Sequence, residues 1–89
     1  MTQAVTVAEA KAFLRVTDTA EDDLVSMLVD AAQARVEGTT GLVLDTSSAA
    51  PLRLCILMLV AHAFEHREEA DAPLGLIEPW LAPYRPVHL

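Results

Sequence analysis

The chain has 89 residues, enough for one domain with one core, and its 13 acidic and 6 basic residues give a formal net charge of −7. A surface of that charge repels phosphate backbones and anionic lipid, which argues against autonomous DNA binding. The longest apolar run, from Leu54 to Ala61, is too short to span a membrane, which takes about 20 residues, and the first residues lack the layout of a signal peptide.

Two helices are predicted in the first half of the chain. The first begins after Thr6, whose hydroxyl caps it while Glu9 completes a capping box, and it ends near Val16. The second begins at Thr19 as its cap, has three carboxylates in its first turn and ends between Gly38 and Gly41. Its apolar residues recur at helical spacing: Leu24, Val25, Leu28, Val29, Ala31, Ala32 and Val36.

A third helix is predicted from Pro51, which suits a first turn, to about Glu69, with Ser48 as a candidate cap. From Leu52 to Phe64, 11 of 13 residues are apolar, so this helix is apolar on every side and must be surrounded. We expect its companion helices to leave part of it bare, as a surface for a partner. The alternative is that the other helices enclose it completely. Cys55 lies inside this run and is predicted to be a buried free thiol.

The remaining segments complete an all-α prediction: a small bundle of three main helices plus a short C-terminal helix, with an irregular loop between the second and third helices. The short helix is predicted from Leu76 to Leu81, and Pro83 to Pro86 should be extended because prolines resist continuing a helix. Trp80 and Tyr84 either complete the core or anchor a partner.

One enzymatic motif occurs, because the segment from His62 to His66 matches the H-x-x-E-H pattern of some zinc proteases. A hydrolytic zinc also needs a third protein ligand, a bound water and a cleft, and a chain this small leaves little room for a substrate groove. The simpler interpretation is that His62 is half-buried and that a solvated stretch begins at His66. Isolated glycines and serines outside any strand-turn-helix setting add no further motif. We expect no catalytic residues, no metal and no cofactor.

Several short segments stand in a specific order and spacing along the chain. They are Ala8–Lys11, Leu14–Val16, Asp18, Glu21–Leu24, Ala31–Ala32, Val36–Glu37, Thr40–Gly41, Pro51, Val60–His62, Glu65–Glu68 and Leu81–Arg85. Over roughly Val5 to Arg85, this arrangement resembles the small head–tail connector (adaptor) proteins of long-tailed bacteriophages and of related prophage or gene-transfer particles. The chain departs from the family pattern at Ala63, often aromatic in the family, and at His66, where Asn is commoner.

The resemblance implies a non-enzymatic structural subunit with a single domain over residues 1–89. Family members form a homo-oligomeric ring, usually a dodecamer in the particle, docked beneath the portal protein. The ring extends the DNA channel, through which DNA passes without sequence-specific binding, and it is the platform for the next neck, stopper or tail-terminator protein. The implied location is the neck of a virion or phage-like particle, assembled in the bacterial cytoplasm, without a membrane.

Two contact sites are predicted within this resemblance. The family loop that reaches toward neighbours corresponds to Gly38 to Ala50, and the candidate intersubunit residues there are Leu42, Val43, Leu44 and Asp45, since an exposed strand edge recruits partners. The candidate portal contacts are Trp80, Tyr84, Arg85 and Val87. The alternative function is a small acidic helical module, interacting or regulatory, that binds a partner helix beside Leu54 to Phe64.

Overall fold

Three helices pack around a core of small aliphatic side chains, and a short fourth helix packs against the third. The computed structural model describes residues 3–66, 75 and 77–84. Its helices are α1 (Val7–Leu14), α2 (Asp22–Thr40), α3 (Ala50–Glu65) and α4 (Glu78–Leu81), with 3-10 turns at Thr19–Glu21 and Ala82–Tyr84. No strand occurs in these residues, so the predicted all-α fold is confirmed.

Helix α1 begins on the predicted capping box. The Glu9 N–H donates to the Thr6 hydroxyl at 3.0 Å, and the Thr6 N–H donates to the Glu9 carboxylate at 3.0 Å. The helix ends at Arg15, whose φ of 61° is left-handed. That conformation is costly for a residue with a Cβ, and local backbone hydrogen bonds accompany it: the Arg15 N–H donates to the Ala12 carbonyl at 3.2 Å and the Val16 N–H to the Lys11 carbonyl at 2.9 Å.

Helix α2 follows a 3-10 turn whose cap differs from the predicted one. Asp18 is the N-cap, with its carboxylate accepting from the Ala20 N–H at 2.8 Å, so the prediction of Thr19 is wrong. Aspartate is the stronger of the two caps because its charged oxygen accepts better than a hydroxyl. The helix ends as predicted before Gly41, whose φ of 75° gives it the left-handed cap conformation that glycine adopts without strain.

The buried face of α2 is centred on its valines. Leu24 and Leu28 are only half-buried and Ala31 is exposed, although the spacing placed all three on the apolar stripe. Two polar residues, Gln33 and Thr40, are buried instead. The buried positions are Val25, Val29, Ala32, Gln33, Val36 and Thr40.

Helix α3 has Pro51 in its first turn, as predicted. Its N-cap is Ala49, so the prediction that Ser48 caps it is wrong. The Ser48 hydroxyl accepts instead from the Asp45 N–H at 2.8 Å, inside the preceding loop. The Ser48 hydroxyl therefore bonds within the loop, and no side chain caps the N-terminus of α3.

The C-terminal boundaries are shorter than predicted. Helix α3 was predicted to reach about Glu69 but ends at Glu65, because the backbone of His66 is no longer helical. Residues 67–69 lie outside the described residues. The segment from Pro83 to Pro86 was expected to be extended. Pro83 belongs instead to a 3-10 turn, so that expectation is wrong at its first residue, and residues 85 and 86 lie outside the described residues.

Two ion pairs join α1 to the longer helices. Lys11 Nζ lies 2.6 Å from the Asp22 carboxylate at the start of α2. The Arg53 guanidinium on α3 pairs with Glu9, and its Nε donates to the Ala4 carbonyl at 3.0 Å. These contacts fix the N-terminal segment against both long helices. None of the described helices combines the length and the apolarity that crossing a bilayer requires.

Candidate interaction surface

One side of α3 is incompletely covered by its own chain. Its buried residues lie on one face: Leu52, Cys55, Ile56, Leu59 and Val60. Other apolar residues are only half-buried: Leu54, Leu57, Met58, Ala61 and Phe64. From residue 52 to residue 64 none is fully exposed, so the bare patch is smaller than expected, because α1, α2 and α4 all pack alongside. Cys55 is buried as predicted, and burial raises the pKa of its thiol.

A shallow groove of about 260 Å³ lies between the end of α1 and the second half of α3. We call it the α1–α3 groove, and it is lined by Phe13, Met58, Ala61, His62 and Glu65. Phe13 is 45% exposed, which is unusual for a phenylalanine in so small a core. Most of the groove lining is therefore apolar surface that water still reaches.

The loop between α2 and α3, residues 41–49, is held by two side chains of α2. The Leu44 N–H donates to the Glu37 carboxylate at 2.7 Å, and the Leu44 carbonyl accepts from the Gln33 amide at 3.1 Å. The Gln33 amide oxygen accepts from the Ala4 N–H at 2.7 Å. Gln33 and Glu37, which we call the polar clamp, thus bond both backbone groups of Leu44 in the way a neighbouring strand would.

The polar clamp divides the four predicted loop residues. Leu44 is turned into the chain's own core at 2% exposure, whereas Leu42 and Val43 are 41% and 91% exposed. Because both backbone groups of Leu44 are already bonded, this residue is not available to pair with a strand of another chain.

Asp45 begins a hydrogen-bonded turn after the clamped residue. Its carboxylate accepts from the Ser47 hydroxyl at 2.9 Å and from the Ser47 N–H at 2.8 Å. These bonds hold the pKa of Asp45 below its ordinary value. Asp45 therefore orders the loop from within, which leaves Leu42 and Val43 as its outward apolar part.

In the described C-terminal residues, the Trp80 ring is exposed to solvent and the Tyr84 ring packs against the core. Ile77 and Leu81 are fully buried and hold α4 to the core, while Trp80 on the same short helix is 46% exposed. Tyr84 is half-buried against the core. The other two predicted portal contacts, Arg85 and Val87, lie outside the described residues.

The histidines of the H-x-x-E-H motif lie as the simpler interpretation predicted. His62 is half-buried, His66 is exposed, and their ring centroids are 4.4 Å apart. Within the described residues, no three His, Cys, Asp or Glu side chains come close enough together to hold a metal ion.

Sequence reasoning missed the polar clamp and Phe13. A glutamine and a glutamate one turn apart are common on solvated helix faces, so Gln33 and Glu37 carried little signal. The available hint was that Gln33 falls between Val29 and Val36 on the apolar stripe. For Phe13, no local pattern on its eight-residue helix indicated that its ring would stay exposed.

Together, these features define a small helical domain whose accessible large apolar side chains include Phe13 at the groove, Leu42 and Val43 on the loop, Trp80 on the C-terminal helix and Met27 on α2. Over residues 4–73 the chain matches the sequence model of the family described as phage gp6-like head-tail connector protein, and it belongs to that family. This match confirms the resemblance stated above. The family is one of structural proteins. Searches of curated proteins and of solved structures found no match.

Proposed function

We propose that this chain is a head–tail connector subunit that forms a ring beneath the portal protein, extends the DNA channel and offers a docking platform to the next neck, stopper or tail-terminator protein. The family match over residues 4–73 carries the proposal. It is supported by accessible apolar groups in several separate places, because a ring subunit must contact neighbours through different faces.

The role is one of binding and positioning, without catalysis, in the neck of a virion or phage-like particle assembled in the bacterial cytoplasm. A ring of twelve subunits would carry a formal charge of about −84, from −7 on each. Carboxylates lining its channel would repel the phosphate backbone, so DNA would pass without tight contacts. The acidic composition thus agrees with a conduit for DNA.

The C-terminal part is proposed to contact the portal through Trp80, Tyr84, Arg85 and Val87. Trp80 is the best placed of the described residues, because its ring is accessible while Ile77 and Leu81 hold its helix to the core. An aromatic ring presented on an anchored helix loses little side-chain entropy on binding, which makes it an efficient anchor.

The test is binding of the purified chain to a portal protein from the same genome, followed by electron microscopy of the complex. We expect a ring at the narrow end of the portal. Trp80→Ala should weaken portal binding at least tenfold, the effect of an interface hot spot of about 1.4 kcal/mol or more. Met27→Ala, at a residue 70% exposed on α2, is the matched control and should bind normally.

Two results would contradict these proposals. A chain that neither binds the portal nor assembles on it would point to the alternative, an acidic regulatory module. Equal portal binding by Trp80→Ala and the unaltered chain would remove the C-terminal contact while leaving the connector role in place.

A further inference from the structure

The four residues before α1 are held in place by side chains of both long helices. We call residues 3–6 the N-terminal strap, and Ala4 and Val5 within it are fully buried. The Ala4 N–H donates to the Gln33 amide oxygen at 2.7 Å, and the Ala4 carbonyl accepts from the Arg53 guanidinium at 3.0 Å. Both backbone groups of Ala4 are therefore bonded to side chains from distant parts of the sequence.

The same glutamine bonds a second segment through the nitrogen of its amide. The Gln33 amide nitrogen donates to the Leu44 carbonyl at 3.1 Å, while the Glu37 carboxylate accepts from the Leu44 N–H at 2.7 Å. An amide carries an acceptor on one atom and donors on the other. The orientation of Gln33 that receives the Ala4 N–H is thus also the one that reaches Leu44, and a flipped amide would lose both bonds.

Burial makes these two bonds depend on each other. Gln33 is 1% exposed, so its amide is fixed by the groups that surround it and not by water. When the strap leaves, water enters where Ala4 was, and the amide is no longer held in the orientation that Leu44 requires. When Leu44 leaves, the amide is likewise less constrained toward Ala4. A buried polar network of this kind favours the state in which all its members are bonded.

We propose that the N-terminal strap and the loop between α2 and α3 open and close together, with Gln33 as the shared contact that couples them. Displacing the strap releases Leu44 from α2, and releasing Leu44 loosens the strap, because a coupling between two sites acts in both directions. A protein that binds the strap would therefore change the loop without touching it. The proposal concerns the chain by itself and does not rest on the connector role.

Hydrogen exchange of single backbone amides, followed by NMR on the full chain, tests the first direction, because exchange of a protected amide reports how often its segment opens. Val5→Ala shortens a buried side chain of the strap and removes no side-chain hydrogen bond. We expect it to accelerate exchange of the Leu44 amide at least about fivefold more than that of the Leu59 amide in α3. Val60→Ala, at a valine of α3 that is 1% exposed, is the matched control and should not favour Leu44.

Glu37→Ala tests the reverse direction, because it removes the acceptor of the Leu44 N–H. We expect exchange of the Ala4 amide to rise at least about fivefold. Asp45→Ala is the matched control: it removes a carboxylate that orders the same loop through Ser47 but takes no part in the polar clamp, and it should leave Ala4 unchanged. Circular dichroism verifies the fold of each variant. Glu37 is only half-buried, so this arm decides the question even where Val5→Ala does not fold.

Equal acceleration at Leu44 and Leu59 in Val5→Ala would overturn the coupling, because the loop would then open only when the whole chain unfolds. A Leu44 amide that does not respond to Val5→Ala would overturn it as well, as would an Ala4 amide that responds alike to the two substitutions on the loop side. Neither arm involves the portal. Failure of the coupling therefore leaves the connector role standing, and failure of portal binding leaves the coupling standing.

Discussion

Gln33 is the residue on which the geometry of the loop depends. Its amide oxygen accepts from Ala4, and its amide nitrogen donates to Leu44, 29 positions and 11 positions away in the chain. It is 1% exposed, and no buried side-chain nitrogen or oxygen of the described residues lacks a partner. A buried amide with its bonds made stabilises one arrangement of the loop over all others.

Gln33→Leu should lower the free energy of unfolding by about 2–4 kcal/mol, because it leaves a buried N–H at Ala4 and a buried carbonyl at Leu44 without partners. Urea denaturation measures the change. The matched control is Gln3→Leu, the same substitution at a half-buried glutamine whose amide donates to Ser26 and Asp30 near solvent. Its effect should stay below about 0.5 kcal/mol. Equal losses of unfolding free energy in the two variants would show that the buried hydrogen bonds of Gln33 stabilise the fold no more than the solvent-accessible bonds of Gln3 do.

Glu9 links stability to pH at the residue scale. The pKa of its carboxyl is lowered from 4.5, first by the hydrogen bond from the Thr6 N–H and then by the bond from Arg53. A carboxyl with a lowered folded pKa stabilises the fold above its unfolded pKa, and that contribution is lost as pH falls through the folded value.

Glu9→Gln should therefore reduce the urea midpoint at pH 7, and the difference from the unaltered chain should shrink below pH 4.5 and disappear in stronger acid. The neutral amide can still accept from the Thr6 N–H but more weakly than the carboxylate, so the loss reports the carboxylate charge toward both Thr6 and Arg53. Glu65→Gln, at an exposed carboxylate beyond the capping box, is the control and should show a much smaller change at either pH. A difference that persists in acid would contradict the assignment.

At the scale of the element, α3 has two apolar sides that differ in burial. Ile56 is fully buried between the other helices, whereas Met58 is half-buried and lines the α1–α3 groove. Apolar area stabilises the fold in proportion to how much of it is removed from water. The two sides of the helix therefore contribute unequally to the stability of the chain.

Ile56→Ala should cost the monomer about 2–5 kcal/mol, because it leaves a cavity that the tightly packed helices cannot fill. Met58→Ala should cost much less, because part of its side chain is already in contact with water. Urea denaturation measures both losses. Equal losses would show that Met58 belongs to the core.

Helix ends were predictable where the signal lies within a few residues. The capping box of Thr6 and Glu9 and the end of α2 before Gly41 formed as expected. The errors at Asp18 and Ser48 occurred where several capping residues adjoin. The choice among them depends on how the loop packs, and neighbouring residues alone do not decide it.

At the scale of the whole molecule, charge opposes the assembly that apolar surface favours. Copies with a net charge of −7 repel each other, and salt screens this repulsion over about 30 Å at 0.01 M and about 8 Å at 0.15 M ionic strength. Apolar contacts between copies of the proposed ring lose little to screening.

Raising the ionic strength from about 0.01 M to about 0.15 M should therefore strengthen self-association, as measured by sedimentation equilibrium. Val43→Asp, in the predicted intersubunit loop, is the control and should stay monomeric at both ionic strengths. An association that weakens with added salt would instead show that ion pairs between copies dominate the interface.

By itself, the sequence determined the all-α fold, most helix ends, the negative charge and the membership in the connector family. These features depend on periodicity, on capping residues and on motif order, all of which operate over short spacings. The tertiary structure alone decided that Leu44 turns inward while Val43 stays outside, and that Phe13 borders a groove on α3. Those outcomes depend on bonds and packing between residues far apart in the chain, and no local pattern encodes them.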